Sequence, residues 1–352
     1  MSENVYRQLA DALNSLPEGF PAAPDDSHLR LLEYLFTPEE ALLAAQLTAD
    51  IEPMKPLLER LGGDLQETGG MLKDMAKHGL IRFGRTEAGS GFGLEPFVVG
   101  IYENQVNRID GELAALFEAY FRHGFGEILK REPQVHRIIP VQESIQSTTE
   151  VRPYESLIEI VQKAKSIGVQ ECICRKQKDL IGEGCGHLRE VCMVLAPVEG
   201  AFIDSKEFRD LTTEEALELL KACAEDGLVH SVSNTQENYY ICNCCSCCCG
   251  ILRGMKDLGI ANVVARSAFV NTVDEAECIA CGACVEACPF EALTLEDTAV
   301  VNTVRCTGCG VCIPTCPTGA LSLVRRPEEE IKPVPENRAV WADERRSTQN
   351  QA

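Results

Sequence analysis

Eight cysteines near the C-terminus carry the strongest chemical signal in the chain. They form two copies of one spacing, Cys278-x2-Cys281-x2-Cys284-x3-Cys288-Pro289 and Cys306-x2-Cys309-x2-Cys312-x3-Cys316-Pro317. This is the run that binds [4Fe–4S] cubanes. Three thiolates so close together can wrap one face of a cluster, because Gly282, Ala283, Gly308 and Gly310 leave room for the loop to turn back after each ligand. The fourth thiolate, expected at the start of a short helix, does not reach the same cluster comfortably and crosses to the other. The predicted sets are Cys278, Cys281, Cys284 and Cys316 for cluster one, and Cys306, Cys309, Cys312 and Cys288 for cluster two. Zinc modules use four ligands in two pairs, so eight at this doubled spacing point to iron and sulfide.

Two further arrays precede these. The first is Cys172-Ile-Cys174-Arg175, then Cys185-Gly186-His187, then Cys192. VQECIC reads as a strand, whose alternation places Cys172 and Cys174 on one face. Gly182, Gly184 and Gly186 let the next loop fold back and bring Cys185 and Cys192 towards them. The second array is Cys242-Asn243-Cys244-Cys245-Ser246-Cys247-Cys248-Cys249-Gly250, a turn between the strand-like NYYI and the helical ILRGMKDLG. Backbone N–H groups at such a turn help stabilise thiolate or cluster charge. Three readings of these ten thiols stay open. One is a third [4Fe–4S] cluster, alone or with a fourth, drawing on both arrays. Another is zinc at Cys172, Cys174, Cys185 and Cys192. The last is dithiol redox chemistry at a vicinal pair such as Cys244–Cys245. The cluster reading is preferred, because clusters already dominate the chain. His187 is expected beside the metal or at the surface, not as a ligand. Arg175 and Lys176 fit either an offset to cluster charge or a solvated face. Cys223 falls on an apolar helix face with Ala216 and Leu220 and is expected to be core.

The elements that must hold these sites can be read from the rest of the chain. Its 352 residues, 45% apolar and 25% charged, suffice for two or three domains. A formal net charge of −21 argues against a basic nucleic-acid-binding surface. No apolar run reaches the roughly 18 residues of a membrane span. The start, MSENVYRQLADALNSLPEGF, shows neither a basic nor an apolar leader region, and the 19 cysteines crowd into tight runs. A cytoplasmic protein with reduced, metal-bound thiols is therefore expected.

Residues 28–100 predict helices followed by a hairpin. Thr37-Pro38-Glu39-Glu40 starts one helix, and Asp64 with Glu67 caps another that stops at Gly79. LIRFGR, a turn over Gly89–Gly93, and FVVGIY would complete a winged-helix-like unit. Its presumptive recognition helix sets Lys73 and Lys77 against Asp64, Glu67 and Asp74, so a docking or structural role is preferred to DNA contact. GELAALFEAYFRHG and YESLIEIVQKAKSIG read as helices, with PQVHRIIPVQESIQSTTEVRP extended between them. Thr212, Glu215 and Gly227 bound a further helix.

The C-terminal motif, with all eight ligands and both prolines, resembles the bacterial two-cluster ferredoxin domain over about residues 270–325. The C-x-C-R and N-C-C-x-C-C-C-G motifs extend a resemblance to cytoplasmic [4Fe–4S] dicluster-domain proteins of anaerobic bacteria. The expected fold is α+β, in four parts: a winged-helix-like module (1–100), a mixed Cys-rich metal-binding domain (101–269), a two-cluster ferredoxin domain (270–326) and a flexible tail (327–352). The expected activity is single-electron transfer between redox partner proteins and a middle metal centre, as a carrier or oxidoreductase subunit. The alternatives are a redox-sensing winged-helix regulator and a reductase working at the middle cluster. No dinucleotide or Walker fingerprint supplies hydride or phosphate chemistry.

Overall fold

Thr37 and Thr212 show how closely local sequence dictates this chain's helices. Each accepts a hydrogen bond from the backbone N–H of the glutamate three residues on, Glu40 or Glu215, whose carboxylate accepts one in return from the threonine N–H. In the computed structural model, residues 2–145 and 151–349 are described. The expected extended segment at 133–153 lies partly outside them. Contacts divide the chain into two units, residues 1–128 with 176–184 and residues 129–175 with 185–352. The first boundary thus falls at 128 and not at 100, and the Cys-rich and ferredoxin-like segments share one unit. The architecture is mixed α and β. Among the described residues no helix is long and apolar enough to cross a membrane.

The first unit contains α1 (Ser2–Asn14), α2 (Ser27–Leu35), α3 (Pro38–Ala44), α4 (Met54–Leu61), α5 (Thr68–Lys77) and α6 (Gly111–Tyr120). A small sheet orders β1 (Glu52–Pro53), β3 (Gly89–Gly93) and β2 (Arg82–Thr86) with β3 central. Tyr102 stacks on Phe117 at 3.8 Å between ring centroids in its aromatic core.

Two expectations need correction in this unit. Asp64 accepts from the N–H groups of Gln66 and Glu67 in a turn, and the helix itself begins only at Thr68. The expected Gly-rich turn is the strand β3, and FVVGI is a buried irregular turn where a strand was expected. The reason is the neighbouring strand: a Cβ on Gly91 would stand 2.5 Å from the Glu52 carbonyl oxygen, and one on Gly93 2.7 Å from that of Asp50. The glycines admit β1; they do not make a bend.

The second unit is built on a six-stranded antiparallel sheet ordered β4-β8-β9-β6-β5-β7. Its strands are β4 (His136–Ile138), β5 (Ser166–Glu171), β6 (Glu190–Ala196), β7 (Arg209–Leu211), β8 (Val229–Ser233) and β9 (Tyr240–Cys244). The short helix α7 (Gly126–Lys130) leads into this unit. Helices α8 (Leu157–Lys163) and α10 (Thr213–Glu225) bury Ile160, Val161, Ala216 and Leu220 with the sheet's Ile167, Val169 and Ile241. Helix α8 stops at Lys163, and SIG, expected to be helical, opens β5. Helix α9 (Ile173–Leu180) follows β5 directly, and α11 (Arg253–Asp257) follows the second cysteine array.

The ferredoxin-like segment pairs β10 (Phe269–Val273) with β13 (Leu321–Arg325), and β11 (Leu293–Leu295) with β12 (Ala299–Val301). Helix α12 (Ala283–Ala287) lies between the strand pairs in sequence. The segment is joined to the sheet by hydrogen bonds: Val141 N–H donates to the Cys309 carbonyl at 2.9 Å, and the Ser144 hydroxyl to that of Gly310 at 2.9 Å.

The expected flexible tail is corrected over its described part. Residues Arg338–Gln349 form α13, in which Trp341 and Arg345 lie one turn apart and are both buried. The Trp341 indole donates to the Gln134 carbonyl at 3.0 Å, and Arg345 donates to that of Arg131 at 2.8 Å. One apolar-plus-cationic face is enough to dock an otherwise polar helix.

Candidate metal centres

The two halves of the C-terminal motif fold so that each loop presents three thiols and receives a fourth from the other half. One small cavity is lined by Cys278, Cys281, Cys284 and Cys316, and a second by Cys288, Cys306, Cys309 and Cys312. These are the crossed sets. Cys288 closes α12 and does not open a helix as expected, but the chain after it still delivers its sulfur to the second cavity. Backbone conformation makes the loops possible: Gly308 and Gly310 have φ of 71° and 78°, and a Cβ on Gly308 would collide with the Phe269 carbonyl oxygen.

The donor chemistry fits an iron–sulfur cluster in each cavity. No carboxylate or imidazole lines either one. Nitrogen donors point at sulfur: Asn271 Nδ2 to Cys312 Sγ at 3.2 Å, Ala292 N–H to Cys288 Sγ at 3.3 Å, and Ala299 N–H to Cys278 Sγ at 3.5 Å. Burial first, and neighbouring thiolates after it, push the Cys309 thiol up to about 12 and that of Cys312 higher still. A buried thiolate here needs a compensating cation. At Cys316 burial also opposes the thiolate, but hydrogen bonds from Thr318 and backbone N–H groups outweigh it and lower the thiol below its usual value.

The ten middle cysteines do not divide as the two arrays suggest. The sulfurs of Cys185, Cys245, Cys247 and Cys248 all lie within 4.8 Å of one another, with Cys185–Cys248 at 3.5 Å and Cys185–Cys245 at 4.0 Å. A tetrahedral ion bound by sulfur at about 2.3 Å sets its ligands about 3.8 Å apart, so this group allows a single metal ion. Cys185 therefore leaves the expected set with Cys172, Cys174 and Cys192. Residues 172–174 are also not a strand: β5 ends at Glu171, and Cys174 sits in the first turn of α9. The remaining six thiols act on one another as neighbours, Cys192 on Cys242, Cys242 on Cys244, Cys244 on Cys249, Cys249 on Cys174 and Cys174 on Cys172. Cys172 and Cys192 also interact electrostatically.

This partition separates the pair named for dithiol chemistry, while the vicinal Cys247 and Cys248 stay together in one group. Adjacent in sequence, Cys244 and Cys245 belong to different groups: Cys244 interacts with Cys242 and Cys249, and Cys245 sits with Cys247 and Cys248. Those interactions bring the Cys244 thiol down to about 7 and draw that of Cys245 far below its usual value. All 19 cysteines are free thiols.

Arg175 is the functional residue whose role the sequence left open. It is 1% exposed, and its Nη2 donates to the Asn243 carbonyl at 2.9 Å. Its Nε and Nη1 are buried without a hydrogen-bond partner. Desolvation disfavours the guanidinium, but Cys172, Cys245, Cys244 and Cys185 outweigh it and raise its proton affinity. Arg175 is buried beside the thiols and does not lie on a solvated face. Lys176 is half-buried. Asn243, between two cysteines of β9, ties the site to the sheet through His230 Nδ1 at 2.6 Å and the Val191 carbonyl at 2.7 Å. His187 lies 3.2 Å from Asp226 and outside both thiol groups, as expected of a non-ligand. Cys223 is fully buried against Cys245, Cys248 and Leu228, a core thiol raised to about 12 by burial.

Residues 277–320 match the 4Fe-4S dicluster domain family, a span that holds all eight C-terminal cysteines. This match supports iron–sulfur clusters in the protein and, with the cysteine-rich region, suggests iron–sulfur electron transfer. No curated protein and no solved structure matches the chain.

Proposed function

We propose, starting from that match, that the protein is an iron–sulfur electron carrier or oxidoreductase subunit. Cys278, Cys281, Cys284 and Cys316 hold one [4Fe–4S] cluster, and Cys306, Cys309, Cys312 and Cys288 hold the other. Single electrons pass through them between a redox partner protein and a third metal centre at Cys185, Cys245, Cys247 and Cys248. The carrying observation is the pair of cavities, each lined by four thiols drawn from both halves of the motif. When bound, each cubane supplies one-electron redox chemistry.

The chain's own residues do the rest. Leu293, Leu321, Leu323 and Phe290 wall the cavities with apolar surface and keep water from the thiolates. Asn271 and the backbone N–H groups hold charge at sulfur. Val311, between Cys309 and Cys312, lies within van der Waals reach of a methyl placed on Gly227, at 4.0 Å. The next residue, Leu228, packs with Cys245 and Cys248. Gly227 and Leu228 thus stand near a residue of the second cysteine loop on one side and the four-thiol site on the other. The net charge of −21 suits a partner that presents basic patches. The helices and hairpin of the first unit serve, on this reading, as a winged-helix-like docking module, since the exposed Lys73 and Lys77 are matched by acidic neighbours.

Anaerobic purification with iron, sulfide and zinc analysis and an EPR-monitored redox titration tests this function. About eight irons with matching sulfide are expected from two cubanes. A colourless preparation without iron defeats the reading.

A further inference from the structure

The compact four-thiol group accounts for only part of the middle cysteines. Six remain, brought together from five places in the chain: Cys172 after β5, Cys174 in α9, Cys192 on β6, Cys242 and Cys244 on β9, and Cys249 in the turn after it. Strand pairing puts them there. Gln170 faces Cys192 across β5 and β6, and β6 pairs with β9, which carries Cys242 and Cys244 on one face. Six thiols so placed are not core filler, because left unbound they would be mutually reactive and readily oxidised.

Their spacing distinguishes them from the compact four. Among the described residues, no three of the six gather within 4.8 Å of one another as the four do. The same is true of the eight ferredoxin-type cysteines. Thiolates on a polynuclear cluster each take a different iron and stand farther apart than thiolates sharing one ion.

Arg175 supplies an independent observation. A fully buried guanidinium with two unpartnered nitrogens and no carboxylate bonded to it requires negative charge nearby. After the cost of burial, the groups that act on it come from both sets, Cys172 and Cys244 from the six, Cys245 and Cys185 from the compact group. Thiolates bound to metal carry net negative charge on each side of it.

We infer that Cys172, Cys174, Cys192, Cys242, Cys244 and Cys249 supply the ligands of an iron–sulfur cluster separate from the ion held by Cys185, Cys245, Cys247 and Cys248. Arg175 is the positioning residue between the two centres. This rests on the reading that the middle cysteines bind metal, and it adds a sulfide-containing site that the four-thiol centre does not account for.

The test compares anaerobically purified full-length protein with Cys174→Ser/Cys249→Ser and Cys185→Ser/Cys248→Ser. The first variant should lose iron and acid-labile sulfide together and keep the single ion. The second should lose that ion without loss of sulfide. The EPR signal of the C-terminal clusters, in the same unit, reports that each variant has folded. Coordinated loss of both metals from either variant means one shared centre and overturns the inference. So does wild-type protein with no sulfide beyond that of two cubanes, a result that leaves the electron-carrier reading standing. Absence of all iron overturns that reading as well. Arg175→Gln should shift the middle cluster's potential to more negative values, with rescue by Arg175→Lys and no change in the C-terminal signals. An unshifted potential removes Arg175 from the role.

Discussion

Asn271→Leu isolates what one side chain does for the second cavity. Asn271 is buried on β10, opposite Leu323 of β13, and its amide nitrogen lies 3.2 Å from Cys312 Sγ. A hydrogen bond to a charged acceptor contributes about 1.5–3 kcal/mol. The bond is present in both oxidation states and strengthens when the site gains one negative charge. If a third to a half of its worth is differential, reduction is favoured by roughly 0.5–1.5 kcal/mol. At about 59 mV per 1.4 kcal/mol for a one-electron couple, the loss of this donor moves the potential roughly 20–60 mV more negative. Leucine fills nearly the same volume, and the variant also removes the buried Asn271 Oδ1, which has no partner. Iron content and stability should therefore hold. EPR-monitored redox titration provides the assay, with the cluster at Cys278, Cys281, Cys284 and Cys316 as internal control. A potential that stays put, or moves positive, refutes the claim that Asn271 stabilises the reduced state through Cys312.

Three other outcomes are expected. Gly308→Ala forces a side chain onto the Phe269 carbonyl at a φ of 71° and should cost the second cavity its iron, about half of that bound by the two C-terminal sites, while the first retains its own. His136 is held neutral by burial, its pKa brought down to about 3, so the unfolded chain takes up the proton first. That contribution is complete above the unfolded value of about 6.5 and is lost as pH falls towards 3, by about 2–3 kcal/mol at pH 4.5; denaturant titrations should show this slope flattened in His136→Gln. Gly91→Ala should destabilise the first unit by about 2 kcal/mol, because β1 must move away from β3, and an unchanged denaturation midpoint would argue against that packing.

How much was legible varies with the reach of the forces involved. The capping boxes at Thr37 and Thr212 close within four residues, and their helices stand where the sequence places them. Gly89–Gly93 misleads because the need for glycine comes from Glu52 and Asp50, far away in sequence, and not from a turn. The tail misleads in the opposite direction: its polar composition hides Trp341 and Arg345, whose partners lie some two hundred residues earlier.

The metal centres divide in the same way. For the C-terminal pair, the spacing of eight cysteines and the positions of the glycines were enough to name the two thiol sets, because three members of each come from one short loop. For the middle ten, adjacency in sequence is a poor guide. Cys244 and Cys245 part company where β9 ends, and Cys185 joins sulfurs sixty residues away. Only the pairing of β5, β6, β8 and β9, and the burial of Arg175 beside the thiols, decides which cysteines lie together. Local spacing sets what a single loop can grip, whereas contacts between distant segments depend on the whole sheet having formed.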